Sequence, residues 1–288
     1  MTIIADSGAT KTDWVVVGKN KEPYYFHTEG MNPFHQSEED IRKVLQRFVE
    51  EMGVVKEIPH SESVHVFFYG AGCAGDRVTY MQRLLHDELS KPTKALLQVE
   101  VASDLMAAAR ALLQHTRGIA CILGTGSNSG LYDGTQIVQN VSPLGFILGD
   151  EGSGASIGKQ FVGDCLKHQA PEALCRLFFD EYCLTAPEVV EQVYRRPFPN
   201  RYLAHFVPFL AQHIDEYDYI RNLIYRCFCD FLRRNVLQYP QAATLPVSFV
   251  GSVAYHFQPL LCNALSDMRL TMGTVAQSPI EGLAQFHA

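Results

Sequence analysis

The chain has 288 residues, of which 47% are hydrophobic and 19% charged, and its formal net charge is -7 at pH 7. This balance is ordinary for a globular protein with a substantial core. Because nucleic-acid phosphates require a basic surface, the acidic balance argues against a nucleic-acid partner. No uncharged apolar stretch is long enough to span a bilayer, so we expect no membrane partner either.

The 8 cysteines are scattered along the chain, and none of them forms a C-x-x-C pair. Asp6 interrupts the only apolar run near the N-terminus, so we expect no signal peptide. Free thiols in a reducing compartment are the expected state of these cysteines. The composition therefore favours a cytoplasmic protein.

Three short apolar runs open the chain: TIIAD, DWVVVG and EPYYFH. Because short turns separate them, they predict an antiparallel meander. The stretches that follow alternate between helical and strand patterns. These are a helix over SEEDIRKVLQRFVEEMG, a strand over VHVFFYG, a helix over DRVTYMQRLLHDEL, a strand over LLQVEVAS and a helix that begins near Asp104.

The pattern restarts at position 118, where GIACILGTGSNSGLYDG and TQIVQNV predict a strand, a small-residue turn and two more strands. Helical patterns dominate from about 152 to 240. LPVSFVGSVA then returns to strand and turn, and YHFQPLLCNALS and SPIEGLAQFHA are helical. A meander followed by alternating helices and strands, occurring twice, predicts two α/β lobes with mixed sheets. Ligands in such folds usually bind where loops leave the strand ends, between the lobes.

A polar turn rich in small and hydroxyl-bearing residues follows the first strand of each half. In DSGATKT, Gly8 lets the backbone approach a ligand closely, and two threonines and Lys11 can donate hydrogen bonds or charge. Asp6 at the strand end can hold hydrated magnesium, which prefers carboxylate and water oxygens. LGTGSNSG at 123–130 is a second turn of the same kind. Two such turns facing each other could grip the outer phosphates of ATP.

A third glycine-rich stretch, GAGCAG, matches G-x-G-x-x-G between a predicted strand and a helix. A dinucleotide-binding fold would require an acidic residue about twenty positions further on, at the end of the next strand. That strand ends too late, at Ser103–Asp104, and a meander does not open such a fold. We therefore favour a tight loop at a strand end.

Six stretches, taken in order, resemble N-acetylglucosamine kinases of the BadF/BcrA-type ATPase group, within the actin/hexokinase/Hsp70 superfamily. They are DSGATKTDW, GMNPF, the ASD that ends at Asp104, LGTGSNS, GDEGSG and FVGSVA. The resemblance implies an α/β fold of two ribonuclease H-like (actin-like ATPase) lobes, with mixed five-stranded sheets and an interlobe cleft. The expected lobes are 1–113 and 114–277, and a closing helix at about 278–288 can pack back on the first. A homodimer is also implied.

The resemblance also implies roles for individual residues, with ATP and Mg²⁺ as the expected cofactors. The first loop would bind phosphate and the metal ion, Asp6 being the metal ligand: Asp6, Gly8, Thr10, Lys11 and Thr12. The second loop would serve phosphate through Gly124, Thr125 and Gly126, and sugar through Ser127 and Asn128. Gly251 and Ser252 match the adenosine loop. The remaining sugar contacts would be Asn32, Gly72, Asp104 and Asp150, and Asp104 would activate the sugar hydroxyl as the catalytic residue.

The chain departs from the family pattern at three places, one of which is GAGCAG, where the sequence around Gly72 differs from the loop expected near the sugar. Ser7 and Ala9 replace glycines that are common in the first loop, which predicts a narrower loop. Pro33 and Phe34 follow Asn32 where a histidine and an aromatic residue are frequent, which bears on recognition of an acetamido group.

The chemistry expected of Asp104 follows from its predicted place at the start of a helix. The helix dipole predicts a low pKa there, so that Asp104 would orient a hydroxyl and accept its proton late. A plain N-cap is the competing structural interpretation of the same residue.

The activity implied by the resemblance is ATP-dependent phosphorylation of N-acetylglucosamine, or a close amino sugar, at the 6-hydroxyl. Two alternatives remain open. One is an ATPase activator of a 2-hydroxyacyl-CoA dehydratase-type enzyme, which needs exposed cysteines for an iron–sulfur cluster shared across a dimer. Here most cysteines lie inside apolar patterns, which is typical of small core residues. The other is a non-catalytic sugar-binding sensor.

Overall fold

A computed structural model describes residues 1–8, 10–18, 22–53, 63–93 and 95–288. The chain divides into two compact units, one formed by Met1–Gln114 with Pro279–Ala288 and the other by His115–Ser278. None of the helices in the described ranges combines the length and apolarity needed to cross a membrane. Each unit is built on one five-stranded mixed sheet.

The first unit follows the predicted order of strands and helices. Its strands are β1 (Thr2–Ser7), β2 (Lys11–Val17), β3 (Tyr24–Glu29), β4 (Ser63–Gly70) and β5 (Leu96–Ser103). Its helices are α1 (Glu38–Gly53), α2 (Asp76–Leu89), α3 (Asp104–Leu113) and the closing helix α13 (Ile280–Phe286). The meander and the four elements predicted after it, up to β5, are all confirmed, and so is the helix that begins at Asp104.

The first sheet has the strand order β3-β2-β1-β4-β5. β1, β2 and β3 pair antiparallel, as a meander must, whereas β4 and β5 run parallel to β1. Parallel neighbours need a crossover, and α1 and α2 supply it. The carboxyl ends of β1, β4 and β5 therefore lie at the same edge of the sheet.

Two apolar layers cover the two faces of this sheet. On one face Trp14 is fully buried and stacks on Phe48 of α1, with ring centroids 3.8 Å apart. On the other face Ile4 and Tyr69 pack against Ala107 of α3 and Leu283 of α13. Helix α13 is also fastened to this unit by a hydrogen bond from Gln114 Nε2 to the Gly282 carbonyl, at 3.0 Å.

The second unit repeats the architecture. Its strands are β6 (Gly118–Leu123), β7 (Ser127–Tyr132), β8 (Ile137–Val141), β9 (Val247–Val250) and β10 (Met272–Ala276). Its helices are α4 (Gly145–Leu148), α5 (Gly154–Leu166), α6 (Glu172–Glu181), α7 (Ala186–Arg195), α8 (Pro199–Ala204), α9 (Val207–Gln212), α10 (Asp218–Arg234), α11 (Ser252–His256) and α12 (Gln258–Asp267), with a 3-10 turn at Val236–Gln238.

The second sheet has the order β8-β7-β6-β9-β10, with β7 and β8 antiparallel and β9 and β10 parallel. This is the order and direction of the first sheet, so the restart seen at position 118 is a repeat of the fold. One strand, β10, has no counterpart among the patterns read from the sequence. It is a short edge strand with a register shift between Met272 and Val275, and its side chains are only partly buried or exposed.

The buried indole of Trp14 gives a test of the first unit's packing. Its Nε1–H donates to the Thr28 hydroxyl at 2.9 Å, and both side chains are buried. Thr28→Val removes the acceptor and keeps the shape, so we expect it to lower the free energy of unfolding by about 1–3 kcal/mol. Thr28→Ser keeps the acceptor and is the control. Denaturant unfolding measures both, and equal losses for the two variants would show that this hydrogen bond does not stabilise the fold.

Candidate functional site

The residues singled out in the first unit lie at one edge of its sheet. Ser7, Gly70 and Ser103 end β1, β4 and β5, and they lie in register across the three strands. Asp104 follows directly as the first residue of α3. Because neighbouring strands are about 4.8 Å apart, β1 and β5 are separated by only about 10 Å. The strand alignment thus brings the Asp6 and Asp104 carboxyl groups onto one small surface.

Asp6 lies among other carboxylates. It faces Asp13 across the antiparallel β1–β2 pair. Burial raises the pKa of Asp6 to about 8, and the negative charges of Asp104 and Asp13 add to this rise, whereas Lys11 opposes it. Among the described residues, no side chain or backbone N–H is hydrogen bonded to the Asp6 carboxylate. Asp6 is therefore poorly stabilised as an anion by the protein alone.

Asp104 lies at the first position of α3, and the cap of that helix is Ser103. The Ser103 hydroxyl accepts a hydrogen bond from Met106 N–H at 3.2 Å, so Asp104 is not the N-cap residue. Asp104 Oδ1 accepts a hydrogen bond from Leu105 N–H at 2.8 Å. Burial nevertheless raises the pKa of Asp104 above its ordinary value, against the lowering effect of that bond. The expected low pKa is therefore wrong, because desolvation outweighs the helix terminus.

The two carboxyl groups fit a hard divalent cation. Mg²⁺ is usually held by one or two carboxylates together with water and phosphate oxygens. The unbonded Asp6 carboxylate and its repulsion by Asp104 are features that a bound cation would relieve. Among the described residues no group of three or more His, Cys, Asp or Glu could enclose a metal ion.

The first loop is a tight turn between β1 and β2, closed by a hydrogen bond from Gly8 N–H to the Lys11 carbonyl at 2.9 Å. Lys11 is exposed, and its ammonium group lies 2.8 Å from Asp13. Thr10 is exposed as well, and its carbonyl accepts a hydrogen bond from Gly30 N–H. Ala9, which departs from the family pattern together with Ser7, lies outside the described residues.

The buried side chains of Thr12 and Ser7 stabilise this loop from the protein interior. Both are fully buried, and their hydroxyl groups are 2.8 Å apart. Thr12 donates to the Glu29 carbonyl at 2.9 Å, so its hydroxyl is engaged within the protein. The Ser7 hydroxyl accepts from Met31 N–H at 2.8 Å. Ser7 therefore fastens the segment before Asn32 to the end of β1, and its side chain points away from the loop opening.

Asn32 and Gly72, two predicted sugar contacts, touch each other. Gly72 has φ = +78°, and a Cβ atom there would overlap the Asn32 side-chain oxygen. That oxygen accepts a hydrogen bond from Phe34 N–H at 2.9 Å, whereas the Asn32 amide hydrogens have no partner among the described residues. Glycine at position 72 thus gives Asn32 the space from which its amide group can donate to a ligand.

Gln36 was not singled out from the sequence, yet it holds the Asn32 segment in shape. Its Oε1 accepts from Asn32 N–H at 2.6 Å, and its Nε2 donates to the Gly30 carbonyl at 3.0 Å. A glutamine four residues after a predicted ligand-binding asparagine carries no motif that would have revealed this role.

In the second unit, the second loop lies against the start of α5. Gly154 and Ala155 donate their N–H groups to the carbonyls of Gly124 and Thr125, at 2.8 and 3.1 Å. Gly251 follows β9 with φ = +121°, and a Cβ atom there would overlap the Leu123 carbonyl. Gly124, Thr125 and Gly251 are thus brought together at the edge of the second sheet that is equivalent to the edge carrying the candidate residues in the first sheet.

Asp150 is turned toward the second loop. It is 8% exposed, and its backbone lies in the left-handed region with φ = +53°. Its Oδ1 accepts from Ser127 N–H at 3.2 Å, and Gly126 lies against the same carboxylate. Burial raises the pKa of Asp150, and the bond from Ser127 opposes the rise. Gly126, Ser127 and Asp150 therefore form one cluster.

Asn128 points its side-chain oxygen at its own sheet. That oxygen accepts from Ser129 N–H and from Asn140 Nδ2, both at 2.9 Å. The Asn128 amide hydrogens have no partner among the described residues, so they are the part of this side chain that could reach a ligand.

A cavity of about 380 Å³ opens beside the second loop, wholly within the second unit. Its size lies in the range of small-ligand pockets. The sequence had pointed to Gly124, Thr125 and Ser252 among its lining residues. The others were missed: Gly154, Ala204, Val207, Pro208, Ala211, Gln212, Val253, His256 and Phe257. Most of these are ordinary helix residues of α8, α9 and α11, and helical periodicity does not distinguish a pocket wall from a core face.

The raised pKa of Asp6 predicts an unusual effect on stability. Since the folded-state pKa of about 8 exceeds the ordinary 3.8, ionisation opposes folding, and stability should fall as the pH rises between these values. We expect Asp6→Asn to have a higher Tm than wild type at pH 8.5, with an advantage that shrinks toward pH 5. Each kcal/mol of relief corresponds to about 2–4 °C for a domain of this size.

Asp133 provides a control of opposite sign. Its Oδ1 accepts three hydrogen bonds of 2.8 Å from Thr135 and Gln136, which lower its pKa. Asp133→Asn should therefore lower Tm at pH 8.5, and the loss should shrink below pH 4. A Tm difference for Asp6→Asn that does not change with pH would contradict the assignment of a raised pKa.

Comparison with known proteins places these residues in a family. The model of the BadF/BadG/BcrA/BcrD ATPase family matches residues 5–284. A solved structure from Porphyromonas gingivalis, provisionally named an N-acetylglucosamine kinase, is 47% identical, with a TM-score of 0.92 over 100% of this chain and 98% of that one. No match was found among curated proteins.

Two more distant structures share the fold. A protein from Chromobacterium violaceum, also provisionally named an N-acetylglucosamine kinase, is 17% identical, with a TM-score of 0.75 over 100% of this chain and 98% of that one. A glucokinase of the ROK family from Streptomyces griseus, solved with glucose and AMPPNP, is 13% identical, with a TM-score of 0.52 over 99% and 98%. The two sheets have the mixed, actin-like ATPase topology that was expected. The chain belongs to the BadF/BadG/BcrA/BcrD ATPase family.

Proposed function

We propose that this protein is an ATP-dependent kinase that phosphorylates N-acetylglucosamine, or a close amino sugar, at the 6-hydroxyl. The observation that carries the proposal is that the strand alignment brings Asp6 and Asp104 to one sheet edge of the first unit, where the Ser7–Met31 hydrogen bond and the contact with Gly72 also place Asn32. The cavity beside the second loop supports it from the second unit. The provisional name of the 47% identical relative points to the same substrate.

The second unit would hold the nucleotide. Its cavity has apolar walls suited to a nucleoside, and the Gly124–Gly126 turn lies at one side, where phosphates would follow. Gly251 allows this turn and the start of α11 to approach closely. Gly8, Thr10 and Lys11 of the first loop would contact the outer phosphates. The buried hydroxyl of Thr12 would instead stabilise the loop.

The first unit would contribute the catalytic base and the Asn32 contact to the sugar. The amide hydrogens of Asn32 would donate to a sugar oxygen, and Asn128 and Asp150 are further polar partners. Asp104 would accept the proton of the 6-hydroxyl as its oxygen bonds to the γ-phosphorus and the bond to the β–γ bridging oxygen breaks. A carboxylate whose pKa is raised by burial is a stronger base than an exposed one, which suits this step.

Asp6 would hold Mg²⁺, with Asp104 nearby. When bound, this ion would neutralise charge on the phosphate oxygens that develops during transfer. Turnover should rise with pH as Asp104 becomes ionised, because only the ionised form can accept a proton.

The iron–sulfur alternative receives less support. Six of the 8 cysteines are buried, and only Cys183 and Cys262 are exposed. A homodimer, which the resemblance implies, and a cytoplasmic location, which the composition favours, remain part of the proposal.

Asp104→Asn tests the catalytic step. We expect it to lower turnover by about a hundredfold or more, since it removes the proton acceptor, while nucleotide affinity stays unchanged. Asp76→Asn is a matched control, because Asp76 is the exposed first residue of α2. Steady-state ADP release with N-acetylglucosamine and Mg²⁺-ATP measures turnover. Undiminished activity of Asp104→Asn would remove this residue from the role of base.

Gly72→Ala tests the placement of Asn32. The added methyl group must displace the Asn32 side chain, so we expect the KM for the sugar to rise about tenfold or more, the loss of one hydrogen bond to a buried partner. The KM for ATP should not change. Gly75→Ala is the control, because Gly75 also has a positive φ of 56° but a Cβ atom there would touch nothing within 4 Å. If the KM for the sugar rises equally in both variants, backbone strain and not the displacement of Asn32 causes the effect.

A further inference from the structure

The nucleotide cavity of the second unit has no ionised carboxylate, lysine or arginine among its lining residues. Its polar side chains are Thr125, Gln212, Ser252 and His256. The rest of the lining is glycine or apolar. Any discrimination between nucleobases must therefore come from these four polar side chains and from the shape of the cavity.

The helices that line the cavity indicate which of its ends lies near the second loop and which lies far from it. A Cβ atom added to Gly154, the first residue of α5, would lie 3.1 Å from Ala204 and 3.5 Å from Val207, so the start of α9 lies beside the start of α5. Gly154 is itself hydrogen bonded to Gly124 of the second loop. Gln212 is five residues beyond Val207 along α9, or about 7.5 Å at 1.5 Å per residue. His256 lies four residues beyond Ser252 on the opposite wall, about 6 Å further along. Gln212 and His256 therefore lie at the end of the cavity away from the second loop.

A nucleotide whose phosphates lie at the second loop would place the Watson–Crick edge of its base near Gln212. Gln212 is exposed, lines the cavity and makes no side-chain hydrogen bond to another described residue. A primary amide carries both an acceptor oxygen and a donor NH₂ group. In one orientation it complements adenine, which offers the N6 donor and the N1 acceptor.

The same amide, rotated by 180°, complements guanine or hypoxanthine, which offer the O6 acceptor and the N1–H donor. We infer that Gln212 contacts the base edge and that the protein uses GTP and ITP nearly as well as ATP. This inference rests on the proposed function. A pyrimidine ring is shorter, so its edge would fall short of Gln212 and leave part of the apolar slot unfilled. CTP and UTP are therefore poor donors.

The test measures kcat/KM for ATP, GTP, ITP, CTP and UTP with N-acetylglucosamine, by detection of the sugar phosphate. We expect GTP and ITP to lie within about tenfold of ATP, and CTP and UTP to be about a hundredfold lower. Gln212→Leu should lower the values for all three purines by about tenfold, the worth of one bidentate amide–base pair. Gln192→Leu, an exposed glutamine of α7 outside the cavity, is the control.

Gln212→Glu gives the sharpest outcome. A carboxylate only accepts hydrogen bonds, so it repels adenine N1 but can accept from guanine N1–H and N2–H. The variant should therefore prefer GTP over ATP by about tenfold. Strict use of ATP by wild type, or an unchanged purine profile in both Gln212 variants, would overturn the inference.

A binding measurement separates this inference from the proposed function. Competition of ADP, GDP and UDP against a fluorescent ADP analogue requires no sugar and no turnover. Equal displacement by ADP and GDP with weak displacement by UDP would support the role of Gln212 even if no sugar is phosphorylated. Displacement by ADP alone, or no nucleotide binding at all, would overturn it.

Discussion

The candidate site depends on one constraint, the parallel alignment of β1, β4 and β5, whose carboxyl ends lie in one row. Ser7, Gly70 and Ser103 share that row, so Asp6 and Asp104 are brought within range of each other's charge. The arrangement is unfavourable for the protein on its own, because burial raises the pKa of both carboxyl groups and the charge of Asp104 raises that of Asp6 further. Functional sites often carry such shifts, since they favour a bound cation or proton transfer. The sheet supplies the rigidity that keeps the two acids in place.

The second unit uses the same sheet edge for a different task. Its first strand also ends in a turn of small residues, but that turn is surrounded by the start of α5, apolar helix faces and the single carboxylate of Asp150 instead of two paired acids. Buried hydroxyl groups do much of the supporting work in the first unit. Ser7 and Thr12 are bonded to the Glu29–Met31 segment, which ties the phosphate-type loop to the turn that carries Asn32. A substitution that moves one of these loops should therefore also displace the other.

Much of this could be read from the sequence because strand and helix periods are local. The meander, its repeat at 118 and the helix beginning at Asp104 follow from apolar spacing alone. β10 escaped this approach because it is short, irregular and carries Gly273. The roles of Gln36, Ala204 and Gln212 depend on which side chains tertiary packing brings together. The pKa of Asp104 was wrongly expected to be low, because sequence reveals a helix start but not the burial that opposes it.

The central claim is that burial and neighbouring carboxylates raise the pKa of Asp6, so that the proposed binding of a divalent cation at this residue would release a proton. Calorimetric titration of Mg²⁺-ADP into the protein at pH 7, in buffers of different ionisation enthalpy, measures the protons released on binding. A pKa of about 8 predicts release of about one proton by wild type and of almost none by Asp6→Asn. Equal proton release by the two proteins would show that Asp6 does not change its ionisation, and the account of the site would be contradicted.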